Sequence, residues 1–115
     1  MPRPPREPRM TQPTQAVLRA LVAEPTHEFY GLELGAIAGL PSGTVHPILA
    51  RLEACGWLVS HWEDLDPHTE GRPRRRYYQL TPDGAVRARA ALARAKAATA
   101  KLQHRLRPDL AGGAV

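Results

Sequence analysis

At 115 residues, with a formal net charge of +5 and a single cysteine, the chain has room for one modest core and a bias towards anionic partners. The lone Cys55 excludes an intramolecular disulfide and a multi-cysteine zinc site, and no stretch approaches the roughly 20 apolar residues that cross a bilayer. No apolar signal-peptide core follows the N-terminus, so a cytoplasmic protein with no membrane partner is expected.

Met1–Met10 holds four prolines and three arginines and suits neither helix nor strand, so residues 1–10 are expected to form a disordered arm. Thr11 or Thr14 can cap a first helix whose apolar stripe is Val17, Leu18, Leu21 and Val22. Glu24-Pro25 ends it, because the residue before a proline avoids the helical region. Thr26 can cap a second helix with Tyr30, Leu34, Ile37 and Ala38 on one face, while Leu32 falls off that stripe. Gly39 makes a plausible left-handed stop, and Leu40-Pro41 makes the turn. Ser42 then caps a third helix, with Val45, Ile48, Leu49 and Leu52 inward, Pro47 just past the first turn and Gly56 as the stop. Two short helices joined by a tight glycine-containing turn read as a helix-turn-helix.

Trp57–Asp64 and Arg75–Leu80 are rich in aromatic and β-branched residues and read as strands. Leu65–Arg74 between them carries a proline near each end and a glycine, too long for a tight hairpin and suited to a flexible wing. Thr81-Pro82-Asp83-Gly84 opens a long alanine-rich helix. Ala85, Ala88, Leu92, Ala95, Thr99, Leu102 and Leu106 keep one seam along it. A helix of about 22–25 residues would be roughly 35 Å long, more than so small a core can cover. A homodimer is therefore expected through this seam, with help from the first helix.

The expected fold is mainly α with a small antiparallel β-hairpin. A winged helix-turn-helix spans residues 11–82, a dimerisation helix residues 83–107, and a flexible tail residues 108–115 after a stop at Pro108.

Charge placement points the same way. From Arg72 to Arg107 eleven basic residues face one acid, Asp83, while from Glu24 to Glu70 eight acids face Arg51 alone. Arg72, Arg74, Arg75 and Arg76 crowd the wing, and arginine's planar fork matches phosphates and guanine edges. The third helix presents Thr44, His46, Pro47, Ala50, Arg51 and Ala54 outward. The first residues of a reading helix meet base edges, so Ser42, Thr44 and His46 are candidates for choice of sequence. Glu28, Glu33 and Glu53 are expected to face away from DNA. Arg72 is the expected groove-inserting residue, and strand alternation turns at least one of Arg74, Arg75 and Arg76 to another task.

Other chemistry finds no footing. The five histidines have no ligand spacing, even where His61 and His68 neighbour Glu63, Asp64 and Asp66, so no metal or cofactor is expected. No nucleophile has a partner placed for catalysis and no glycine-rich phosphate loop is present, so no enzyme is expected. The competing reading is a winged-helix protein-interaction module without sequence-specific DNA binding, favoured by the acidic Glu24–Glu70 region.

Several segments in order carry a family resemblance: Tyr30-Gly31 through Leu34, Leu40-Pro41-Ser42-Gly43-Thr44-Val45-His46-Pro47 to Glu53, Gly56-Trp57-Leu58, Trp62-Glu63, Gly71-Arg72-Pro73-Arg74 to Tyr77-Tyr78, and Leu80-Thr81-Pro82 with Gly84. Over about Val17–Gly84 the chain resembles PadR-type transcriptional regulators, in a short form with one C-terminal helix. The resemblance implies a dimeric winged-helix repressor on an inverted-repeat operator. By the same resemblance Ser42, Gly43, Thr44 and Pro47 match the reading helix, Gly71, Arg72 and Pro73 the wing, and Tyr30 a position near the DNA backbone. His46 and Leu32 stand where the family commonly has tyrosine, so operator preference need not follow the family's usual repeat. Ala85–Leu106 lacks the aromatic residues with which some short members sandwich flat drugs, and any small-molecule effector stays unassigned.

Overall fold

The computed structural model describes residues 6–106. The expected tail at 108–115, its stop at Pro108 and the first five residues of the arm lie outside them. Five helices and a three-stranded antiparallel sheet build a winged helix-turn-helix with a long terminal helix.

Helix α1 (Gln12–Ala23) starts where Thr11 accepts a hydrogen bond from the Thr14 amide, and it ends at Glu24 ahead of Pro25. Val17, Leu18 and Leu21 face the core. Residues 6–10 of the expected arm lie against the body: Met10 packs on the core, and Glu7 pairs with Arg94 at 2.6 Å.

The second helix departs from expectation. Phe29-Tyr30 forms a two-residue strand, β1, and α2 (Gly31–Ala38) begins only after it, with Tyr30 rather than Thr26 at the cap. The later start re-phases the helix. Gly31, Leu34 and Gly35 turn inward, and Ile37, expected on the apolar face, stands 58% exposed. Two residues are too few to show strand alternation, so β1 had no sequence signal. Gly39 does close α2 in the left-handed conformation, with φ of 70°.

Helix α3 (Ser42–Ala54) buries Val45, Ile48, Leu49 and Leu52. Its cap is Pro41, whose carbonyl accepts from the Thr44 and Val45 amides; Ser42, expected as the cap, is the first helical residue. Strands β2 (Leu58–Trp62) and β3 (Arg76–Leu80) pair in antiparallel register, Trp62 opposite Arg76 and Ser60 opposite Tyr78, and β1 adds to the other edge of β3. The intervening segment is more regular than a flexible loop. A one-turn helix, α4 (Pro67–Glu70), is capped by the Asp66 carboxylate and closed by Gly71 in the left-handed conformation.

Helix α5 (Pro82–Leu106) begins where the Thr81 hydroxyl accepts from the Gly84 amide. Gly84 packs so closely on the α3–β2 turn that a Cβ there would lie 2.1 Å from the Trp57 carbonyl oxygen. Ala85, Ala88 and Ala91 are buried against the body, Leu92 and Ala95 are half-buried, and every residue from Lys96 to Leu106 is exposed. At about 1.5 Å per residue the helix is roughly 37 Å long, and its distal end outruns the core as expected.

Candidate nucleic-acid interface

The reading helix offers an outward face as predicted. Ser42, Gly43, His46, Pro47, Ala50 and Arg51 are exposed on α3, with Thr44 half-buried among them. Among the described residues Arg51 has no ion-pair partner. The His46 ring leans over the start of α2, where a Cβ on Gly31 would lie 3.0 Å from its Cε1. A larger residue at 31 would push this imidazole off its resting place.

A concave cleft of about 390 Å³ lies between α3 and the wing. His46 and Leu32 stand on one side and Trp62 with Arg74, Arg75 and Arg76 on the other, with Tyr30 and Gly31 between. Leu32, unplaced by the sequence, is 72% exposed here. The cleft thus gathers Tyr30, His46, Arg74 and Arg75 from the expected contact set. Ser42 lines a separate shallow groove at the helix-turn-helix, and Gly43, Thr44, Pro47, Arg51, Gly71, Arg72 and Pro73 line neither.

The four wing arginines have distinct surroundings. Arg72 forms a bidentate ion pair with Glu63, Nη1 to Oε1 at 2.7 Å and Nη2 to Oε2 at 3.0 Å. Arg74 donates only its Nε, to the Leu65 carbonyl. Arg75 holds its guanidinium carbon over the Tyr30 ring, 4.2 Å from the centroid. That contact is electrostatic and uses none of its N–H donors in a hydrogen bond. Arg76 also lines the cleft, but its donors are spent within the protomer: its Nε donates to Ser60 Oγ at 3.0 Å and its Nη2 lies 3.6 Å from Glu53. Ser60 in turn donates to Glu53. These pairings commit Arg76 to the fold.

Glu63 is the anchor of this arrangement, and sequence reasoning gave it no role. Besides Arg72 it accepts from the Arg75 amide at 3.2 Å, and its own amide donates to the Arg75 carbonyl at 2.7 Å. The Arg72 guanidinium foremost, then the Arg75 amide, hold its carboxyl at about 2, far below the usual carboxylate range. The same pairing raises Arg72. The contribution of a lowered acid is complete above its unfolded value and fades only as pH falls towards the folded one. The Glu63 carboxyl is therefore ionised opposite Arg72 at neutral pH.

An aromatic column backs the wing. Tyr30 meets Tyr77 edge-on, and Tyr77 stacks on His61, each with centroids 5.8 Å apart. His61 Nε2 reaches Glu28 at 2.9 Å and its Nδ1 the Trp62 carbonyl at 3.2 Å. Glu28 first, then that carbonyl, raise the imidazole above its ordinary 6.5. Of the acids expected to face away from DNA, Glu28 meets His61 and Glu53 meets Ser60 and Arg76, while Glu33 lies 3.5 Å from the His27 ring with its buried Oε1 accepting no hydrogen bond from the described residues. None of the three lines the cleft.

Among the described residues no cluster of three or more His, Cys, Asp or Glu is placed to hold a metal, and no helix is long and apolar enough to cross a membrane.

The family described as "Transcriptional regulator PadR-like family" matches residues 18–90. No curated protein matches the chain. Among solved structures, it is similar to the PcaV transcriptional regulator from Streptomyces coelicolor in complex with its natural ligand, at 28% identity and a TM-score of 0.61. That match covers 84% of this chain and 62% of the other, so this chain spans less than two thirds of that regulator. Disulfide-formed AbfR shares 23% identity at a TM-score of 0.61, over 92% of this chain and 72% of its own. A MarR family transcriptional regulator from Silicibacter pomeroyi shares 20% at 0.53, over 85% and 63%. The last two likenesses speak for the fold alone.

Proposed function

This chain belongs to the PadR-like family of transcriptional regulators, and from that premise we propose that it is a sequence-specific DNA-binding repressor acting as a homodimer on an inverted-repeat operator. One observation carries the reading: a cleft joins helix α3 to the wing, gathering His46 with Arg74 and Arg75, while Glu28, Glu33 and Glu53 lie outside it and Glu28 and Glu53 are paired there. The α3 residues Ser42, Gly43, His46, Pro47 and Arg51, exposed, and the half-buried Thr44 meet base edges and phosphates of the major groove. Arg74 and Arg75, flanked by Gly71, Arg72 and Pro73, supply the wing's share of the grip. Tyr30 stands at the backbone.

The dimer rests on α5. Its seam is buried in the protomer at Ala85 and Ala88, half-buried at Leu92 and Ala95, and exposed at Thr99, Leu102 and Leu106. A second copy would cover that distal stretch, with the α1 face bearing Gln12, Gln15 and Arg19 alongside it. Twofold symmetry then demands two half-sites in inverted orientation.

A gel shift of the full chain on the DNA upstream of its own gene, against excess random duplex, tests the reading. Retention of the specific complex at a hundredfold competitor is expected. Equal competition by random DNA would favour a winged-helix interaction module instead. That second reading draws on one observation, that each wing arginine already has an intramolecular partner.

A further inference from the structure

We propose that Glu63 is the positioning residue of the wing and that Arg72 is its clamp partner, so that Arg74 and Arg75, not Arg72, contact the phosphates. The inference rests on the DNA-binding reading and begins from a donor inventory. A guanidinium has five N–H donors on three nitrogens. Arg72 commits both terminal nitrogens to Glu63, and Nη1 also lies 3.3 Å from the Pro73 carbonyl. A phosphate approaching Arg72 must displace a bidentate carboxylate, the closest match for its fork that a protein supplies. Arg74 commits Nε alone, and Arg75 sits with its Cζ over the Tyr30 ring and no side-chain hydrogen bond among the described residues. Those two line the cleft with His46 and the already paired Arg76, and Arg72 does not.

Position explains why the clamp sits where it does. Glu63 is the first residue after β2, and Arg72 follows Gly71, the residue that closes α4. The ion pair therefore cinches the mouth of the wing, and two hydrogen bonds between Glu63 and Arg75, one from the Glu63 amide to the Arg75 carbonyl and one from the Arg75 amide to the Glu63 carboxylate, secure the same place. With the mouth shut, Arg74 and Arg75 are carried to the cleft at the start of β3. With it open, the wing must be ordered on binding, at an entropic cost for each side chain so fixed.

The test compares Arg72→Ala, Glu63→Gln, the double variant, the exchanged pair Glu63→Arg with Arg72→Glu, and Arg75→Ala in the full-length protein. Operator affinity is measured across salt concentrations, and amide exchange of residues 64–75 is followed in the free protein. Glu63→Gln and Arg72→Ala should each weaken binding by about tenfold, the order of re-ordering a few side chains. The double should be no worse than either, and the exchanged pair should recover most of the loss. Both single variants should speed exchange in the wing yet leave the salt slope at its wild-type value. Arg75→Ala should reduce that slope by about one.

A slope reduced by about one in Arg72→Ala, with wing exchange unchanged, would overturn the proposal and make Arg72 a phosphate contact. So would additive losses in the double variant. If the wild-type protein binds no DNA, the functional reading fails on its own. Wing exchange still judges the clamp in that case, and unchanged exchange in Glu63→Gln would refute it. Should Glu63→Gln fold poorly, Arg72→Lys replaces the fork with a single point donor and provides the same comparison.

Discussion

The two ends of α5 are both rich in alanine and cations and have opposite circumstances. Between Pro82 and Ala91 the residues Gly84, Ala85, Ala88 and Ala91 are buried, with Gly84 against the Trp57 carbonyl and Ala88 wholly enclosed. From Lys96 to Leu106 the same alanine-and-cation pattern continues, but everything is exposed, including Leu102 at 53% and Leu106 at 71%. The seam therefore divides: its proximal part completes the protomer's core, and its distal part leaves Thr99, Leu102 and Leu106 exposed. The wing repeats the lesson in charges, since Arg72 and Arg76 are satisfied inside the protomer whereas Arg51 on α3 is not. Groups already satisfied report on the fold, and groups left unsatisfied point outward to partners.

The largest expected effect breaks the proximal half. Gly84→Ala places a Cβ where backbone already lies and should cost more than about 3 kcal/mol, the upper part of the overpacking range. Urea denaturation would read this as a lowered midpoint. Wild-type stability would mean that α5 sits farther from the Trp57 turn.

Next comes the distal half. Leu102→Asp together with Leu106→Asp should spare the protomer's fold, because neither side chain is buried in it. The dimer should weaken by at least about a hundredfold, since each buried leucine is worth about 1.5–3 kcal/mol and twofold symmetry counts each twice. Sedimentation equilibrium beside far-UV circular dichroism separates the two outcomes. A dimer that survives the double charge would assign the interface elsewhere.

His46→Ala probes an unsatisfied group of the reading head. It should cost about 1–3 kcal/mol on the best operator and little on random duplex. Equal loss on both would remove His46 from base readout.

The smallest effect comes from His61, whose two ring nitrogens face two acceptors, Glu28 and the Trp62 carbonyl, and can donate to both only when the imidazole is charged. A folded value raised above 6.5 makes its contribution full below the unfolded value and lost as pH rises through the folded one. The difference in melting temperature between wild type and His61→Gln should be widest near pH 6 and close at alkaline pH. It should be small, because the two side chains are 56% and 50% exposed and water screens them. A gap independent of pH would leave stacking on Tyr77 as the whole of His61's contribution.

Much of this molecule was legible because its signals are local. Thr11 and Thr81 are side-chain caps, Gly39 is a left-handed stop, and the spacing of Val45, Ile48, Leu49 and Leu52 is a helical period, each readable within one turn of helix. The failures lie where a distant strand decides. Phe29-Tyr30 pairs only because Tyr77-Tyr78 lies beside it, and that pairing delays α2 and turns Ile37 outward. Glu63 reads locally as one more acid in an acidic stretch, and it becomes the wing's anchor only when β2 and β3 bring Arg72 and Arg75 to it.

The sequence by itself determined the three helices and two long strands of the helix-turn-helix and wing in their order, and a terminal helix too long for its core, because propensity, capping and periodicity act over a few residues. Only the tertiary structure decided which charges are spent and which remain. Arg72 and Glu63 are nine positions apart and opposite in sign, and the hairpin converts that separation into a bidentate contact. A count of arginines holds no record of such pairing, because the partner of a charge is set by where the chain returns.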